Sequence, residues 1–105
     1  MKLLYAKSAW EAPRLTLPDF LDKAARDGFD AAEVYLPGRQ EPPAEIRRLC
    51  AAAGLKLVVQ NATEGRTPGE HLRSLEALYA RAAEAEPLLV HCQTDGKWTE
   101  TWKAM

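Results

Sequence analysis

The sequence predicts an α/β fold of parallel βα repeats, about four units of a (β/α)8 barrel forming one partial domain over residues 1–105. Three observations carry that reading. Short apolar runs starting near residues 3, 31, 56 and 88 alternate with longer stretches whose apolar residues recur at helical spacing. The strand starts lie about 25 to 32 residues apart, and strand–helix alternation at that period means parallel strands joined by right-handed crossovers. The chain has 105 residues, whereas a whole eight-unit barrel typically takes about 250.

The first apolar run is Leu3, Leu4, Tyr5 and Ala6. Thr16-Leu17-Pro18-Asp19 opens the first helix: Thr16 can cap it, Pro18 suits its first turn, and Asp19 is the acidic partner of a capping box. Leu17, Phe20, Leu21, Ala24 and Ala25 mark its apolar stripe, and Gly28 is its left-handed stop. A second strand is expected over 31–36, closed by the Pro37-Gly38 turn. The second helix follows over 43–53, with Ile46, Leu49, Cys50 and Ala53 on one face and Gly54 behind it. Residues 55–60 read as a third, almost continuously apolar strand. Thr67-Pro68-Gly69-Glu70 repeats the capping pattern, and Leu72, Leu75, Leu78, Tyr79 and Ala82 are expected to line the third helix as far as Pro87. A fourth strand covers 88–92, and a further helix is expected to begin near Trp98. The third and fourth strands read as apolar on both faces, the pattern of strands covered on both sides.

Composition narrows the function classes. Fifteen acidic and fourteen basic residues leave a net charge of -1, whereas a nucleic-acid footprint needs a clear excess of Lys and Arg on one face. No stretch approaches the roughly 18 apolar residues of a membrane span. Lys7 interrupts the apolar N-terminus, so no secretory signal is read there and the expected compartment is cytoplasmic. Cys50 and Cys92 lack metal-type spacing and are not expected to pair; Cys50 reads as a small core residue.

An ordered set of segments goes further. Lys7-Ser8-Ala9-Trp10 closes the first strand, Gly28-Phe29-Asp30-Ala31-Ala32-Glu33-Val34 leads into the second, and Gly54-Leu55-Lys56-Leu57-Val58-Val59-Gln60 forms the third. His71-Leu72-Arg73-Ser74-Leu75-Glu76 and Pro87-Leu88-Leu89-Val90-His91-Cys92-Gln93-Thr94 follow. Over residues 2–99 this set resembles the N-terminal half of the xylose-isomerase-like TIM barrels, the sugar phosphate isomerase/epimerase superfamily. The resemblance implies a divalent metal and hydrogen transfer between adjacent carbons of a sugar or hydroxy-ketone. It also implies that the metal ligands belong to strands five to eight, so this chain is expected to carry no cofactor, catalytic residue or metal ligand and to be inactive alone. The segment Gln93-Thr94-Asp95-Gly96-Lys97-Trp98-Thr99 departs from the family pattern, with Gln for His and the glycine displaced.

In a parallel βα array, ligands sit at the C-terminal ends of the strands. That rule selects Ser8, Trp10, Glu33, Tyr35, Gln60, Asn61, His91 and Gln93. Trp10, Glu33, His91 and Gln93 are the candidate substrate-binding residues, for a small sugar-like molecule. Glu33 lies mid-strand between Ala32 and Val34, where a carboxylate is costly without a partner. Trp10 offers an apolar wall, and His91 a hydrogen-bonding or proton-handling group. His71, beside Glu70 early in the third helix, reads as a surface residue. Two alternatives stand beside this one. Val90-His91-Cys92 followed by Gly96 and Lys97 is similar to the His-Cys-x5-Arg loop of cysteine-dependent phosphatases, but Trp98 occupies the arginine position. The other is a non-catalytic half-barrel that self-associates through its open sheet edges, where Tyr5, Val58 and Val90 are expected to face the exposed interior.

Overall fold

The computed structural model describes residues 3–37 and 39–94. Four strands make one sheet: β1 (Ala6–Ser8), β2 (Ala31–Tyr35), β3 (Lys56–Thr63) and β4 (Leu89–Thr94). Three helices alternate with them: α1 (Leu17–Arg26), α2 (Pro43–Ala52) and α3 (Pro68–Ala83). A 3-10 turn, Ala9–Glu11, follows β1. The sheet order is β1-β2-β3-β4, and every neighbouring pair is parallel. The chain is therefore an α/β fold of alternating βα units. The Gly38 half of the expected Pro37-Gly38 turn, and the helix expected from Trp98, lie outside the described residues.

Local chemistry sets the helix ends. Thr16 Oγ1 accepts the Asp19 amide at 3.3 Å, and Thr67 Oγ1 accepts the Glu70 amide at 3.1 Å, each satisfying one of the donors that a helix start leaves free. α2 begins without a side-chain cap, at Pro42 and Pro43. Gly28 (φ 89°) and Gly54 (φ 74°) turn the chain left-handed just beyond α1 and α2, a conformation that residues with a Cβ rarely adopt.

Sequential order with right-handed crossovers places every helix on the same side of the sheet, and the packing agrees. Ala32, Val34 and Leu36 of β2 and its end, with Leu57 and Val59 of β3, share one buried cluster with Phe20, Leu21, Ile46, Cys50 and Ala82 from the three helices. Strand residues alternate faces, so Ala31, Glu33, Tyr35, Val58, Gln60, Leu89, His91 and Gln93 belong to the opposite, helix-free face. Ala31 and Val58 are buried yet stand outside the helix-side cluster.

Several sequence expectations change here. β1 starts at Ala6 rather than at residue 3, because Leu3 and Leu4 precede the first backbone partner; pairing begins where the Tyr5 carbonyl accepts the Asp30 amide. β3 and β4 run to Thr63 and Thr94, beyond the expected ends at 60 and 92. Val90 packs on the helix side and Tyr5 lies exposed before β1, so of the three residues expected on the interior face only Val58 is there. On α3, Leu72 and Tyr79 are exposed; Ala82 is buried as expected, and the other buried position belongs to His71. His71 is not a surface residue: the extension of β3 puts Thr63 beneath the first turns of α3, and Thr63 Oγ1 lies 2.9 Å from His71 Nδ1.

Candidate functional site

The helix-free face carries its polar groups in three rows set by strand register. Ser8, Glu33, Val58 and Leu89 stand side by side across β1 to β4. Tyr35, Gln60 and His91 form the next row toward the strand ends, and Ala62 and Gln93 the one after it. Glu33 and His91 occupy strands separated by β3, and their side chains lean toward each other across it. His91 Nδ1 and Glu33 Oε2 are 3.9 Å apart, with about a quarter of the Glu33 side chain and half of the His91 side chain exposed. That gap is too long for a direct hydrogen bond. A hydroxyl oxygen about 2.8 Å from each atom would bridge it, giving its proton to the carboxylate and accepting one from the imidazole.

Trp10 lies in the turn after β1, held because Ser8 Oγ accepts its amide at 3.3 Å. Its ring meets that of Tyr35 edge to face, with centroids 5.8 Å apart and planes at 67°. Trp10 is nevertheless 64 % exposed, so it forms a wall that faces solvent. Gln93 is exposed on β4, two residues beyond His91 on the same face. The four candidate residues thus share one side of the sheet: Glu33 and His91 converge, Trp10 stands with Tyr35, and Gln93 flanks His91. Gln60, between Tyr35 and His91 in register, has a buried Oε1 without a hydrogen-bond partner among the described residues.

Not every residue at a strand end belongs here. Asn61 is buried on the helix side, where its Oδ1 has no hydrogen-bond partner among the described residues. With Thr63 and His71 it makes a polar cluster under α3. Sequence reasoning missed that cluster because the polar residues at 61 and 63 looked like a strand's end. Cys92 is the fourth of six residues in β4, not its last, and sits on the helix-side parity with Val90. Burial pushes its thiol above the ordinary range, whereas a nucleophilic cysteine needs a lowered value. The remainder of the phosphatase-like loop, including Trp98, lies outside the described residues.

The described residues do not make a coordination shell for the divalent metal that the family resemblance implies. Glu33 and His91 are two potential donors, and among the described residues no group of three His, Cys, Asp or Glu side chains could hold an ion. No helix among them is long and apolar enough to cross a membrane. Comparison with protein-family models, curated proteins and solved structures finds no match to this chain. Its chemistry is therefore read from its own geometry.

Proposed function

We propose that the helix-free face is the inner wall of a (β/α)8-type barrel of the sugar phosphate isomerase/epimerase kind, and that it binds a small polyhydroxylated substrate. The observation that carries this reading is the convergence of Glu33 and His91 to 3.9 Å across β3. A carboxylate and an imidazole at that separation accept from and donate to a single hydroxyl, and sugars present hydroxyls in series. Trp10 supplies an apolar wall for a ring face, and Gln93 an amide that can both donate and accept. The singly covered, sequentially ordered parallel sheet supports the barrel, because in that architecture helices ring the outside and the inner face carries the site. Hydrogen transfer between adjacent carbons in that family also calls on a divalent metal, which the described residues do not hold, so the role proposed for these four residues is binding and orientation.

The test is a titration of isotopically labelled protein with ketose and aldose phosphates, followed by amide and side-chain resonances. Shifts clustering at Glu33, His91, Trp10 and Gln93 are expected. Glu33→Gln and His91→Gln should each weaken binding by about tenfold, or about 1.4 kcal/mol. Shifts confined to other surfaces, or affinities unchanged in both variants, would refute the reading.

A second reading has its own support. Among the described residues β1 and β4 each pair on one side only, and Leu89 is 51 % exposed on the helix-free face. An unpartnered apolar side chain next to an edge strand suits self-association.

A further inference from the structure

A cleft of about 380 Å³ opens beside Trp10, at the carboxyl ends of β1 and β2. One wall comes from the turn after β1 and the segment that follows it, through Trp10, Ala12, Pro13 and Leu15. The other comes from the end of β2 and the approach to α2, through Tyr35 and Arg39. Arg39 is the charged residue in that lining. Its guanidinium stands 3.5 Å from Glu41, about a quarter exposed, which leaves donors available to a second acceptor. The volume falls at the lower end of the range for small-molecule sites, and it is roughly two and a half times the 150 Å³ that accommodates a benzene ring. Large apolar residues rarely gather in the open without a partner, yet Trp10 is 64 % exposed and Leu15 is 39 % exposed. Tyr35 holds the indole in place by its edge-to-face contact, so the wall exists before anything binds, and little ordering entropy is lost on binding.

We propose that this cleft is a binding site for a six-membered ring carrying an acidic group, the ring packed against Trp10 and the anion held by Arg39. The assignment shares Trp10 with the proposed substrate site, but it does not depend on the hydroxyl bridge between Glu33 and His91. A planar guanidinium presents paired N–H donors that match phosphate or carboxylate oxygens. Indole faces take both aromatic rings and the C–H faces of sugars, so the cleft accepts a ring of either class and the acid supplies the selectivity.

Labelled full-length protein is titrated with phenyl phosphate, phenol, glucose 6-phosphate, glucose and inorganic phosphate, with the Trp10 indole N–H as reporter, assigned by its loss in Trp10→Phe. The two ring phosphates are expected to move that resonance and to bind at least about tenfold more tightly than their neutral rings or inorganic phosphate. Comparing the two ring phosphates separates an aryl from a sugar ligand. Arg39→Gln should cost about tenfold for the ring phosphates while leaving the neutral rings unchanged. Arg39→Lys keeps the charge, loses the paired donors and should fall between. Trp10→Ala should weaken acids and neutral rings alike, and its amide spectrum reports whether the fold persists. Phenyl phosphate carries no sugar hydroxyl for the Glu33–His91 pair, so its binding should stay within about twofold in Glu33→Gln even where sugar phosphates weaken, which separates failure here from failure of the hydroxyl-binding reading. A Trp10 resonance that stays still, or ring-phosphate affinity that survives Arg39→Gln, overturns the proposal.

Discussion

Replacing Thr63 with valine would keep the side chain's shape and remove its hydroxyl, and the consequence falls on His71. The Thr63 Oγ1 is 2.9 Å from His71 Nδ1, both residues are buried, and the other ring nitrogen of His71 has no hydrogen-bond partner among the described residues. Thr63→Val should therefore destabilise the fold by about 1–3 kcal/mol, the cost of stranding a buried polar group. Pairing it with His71→Leu should recover much of that loss, because two apolar partners strand nothing. Chemical denaturation of the two single variants and the double variant measures the coupling; additive losses would show that the two side chains do not act as a pair. At this scale the sequence was only partly legible. Glu33 stood out as a carboxylate inside an apolar strand, and the residue types at 33 and 91 suggested chemistry. Their approach to 3.9 Å depends on the register of three strands, which local pattern does not encode. His71 was misread for a similar reason: its partner lies in a strand extension built of polar residues.

Among the elements, α3 shows most plainly what a capping motif contributes. Thr67 accepts the Glu70 amide, and the Glu70 carboxylate reaches back to accept the Arg66 amide. That backbone donor is the main reason the Glu70 carboxyl is held below its usual value of 4.5. A carboxyl lowered by folding stabilises fully above its unfolded value, and the contribution disappears as pH falls through the folded value. Glu70→Gln should therefore be less stable than the parent at neutral pH, with the gap closing below about pH 4; thermal melts across pH check it, and a gap that persists in acid would show that the carboxylate is not the source. Thr67→Ala should cost about 1 kcal/mol at every pH. Both capping threonines were readable from sequence, since the cap is a local contact made over three residues. The buried face of α3 was readable only in part. Ala82 is buried as its spacing suggests, but Leu72 and Tyr79 are exposed, and the sheet takes the hydrogen-bonded His71. Ile46 and Cys50 of α2, by contrast, are buried as their spacing suggests, and burial pushes the Cys50 thiol up to about 11, which makes it inert packing rather than a nucleophile.

For the whole molecule, the one-sided arrangement of helices decides what the chain does in solution. The helix side is closed by a continuous apolar cluster, while the other face presents Leu89 beside Glu33, Gln60 and His91. The purified chain is expected to self-associate at micromolar concentration and to bind a dye that reports exposed apolar surface. Sedimentation velocity and dye fluorescence check this, and a dye-negative monomer would refute it. The alternation of strands and helices was legible because each unit is written locally, as an apolar run, a cap and a glycine stop. The sheet order adds something about assembly. Each of β2, β3 and β4 joins the strand made immediately before it, across sequence gaps of about 25 to 31 residues. No strand has to be threaded between two that are already paired. A chain emerging amino end first can therefore lay each unit onto a finished edge as it appears, and its growth needs no rearrangement of what has already been built.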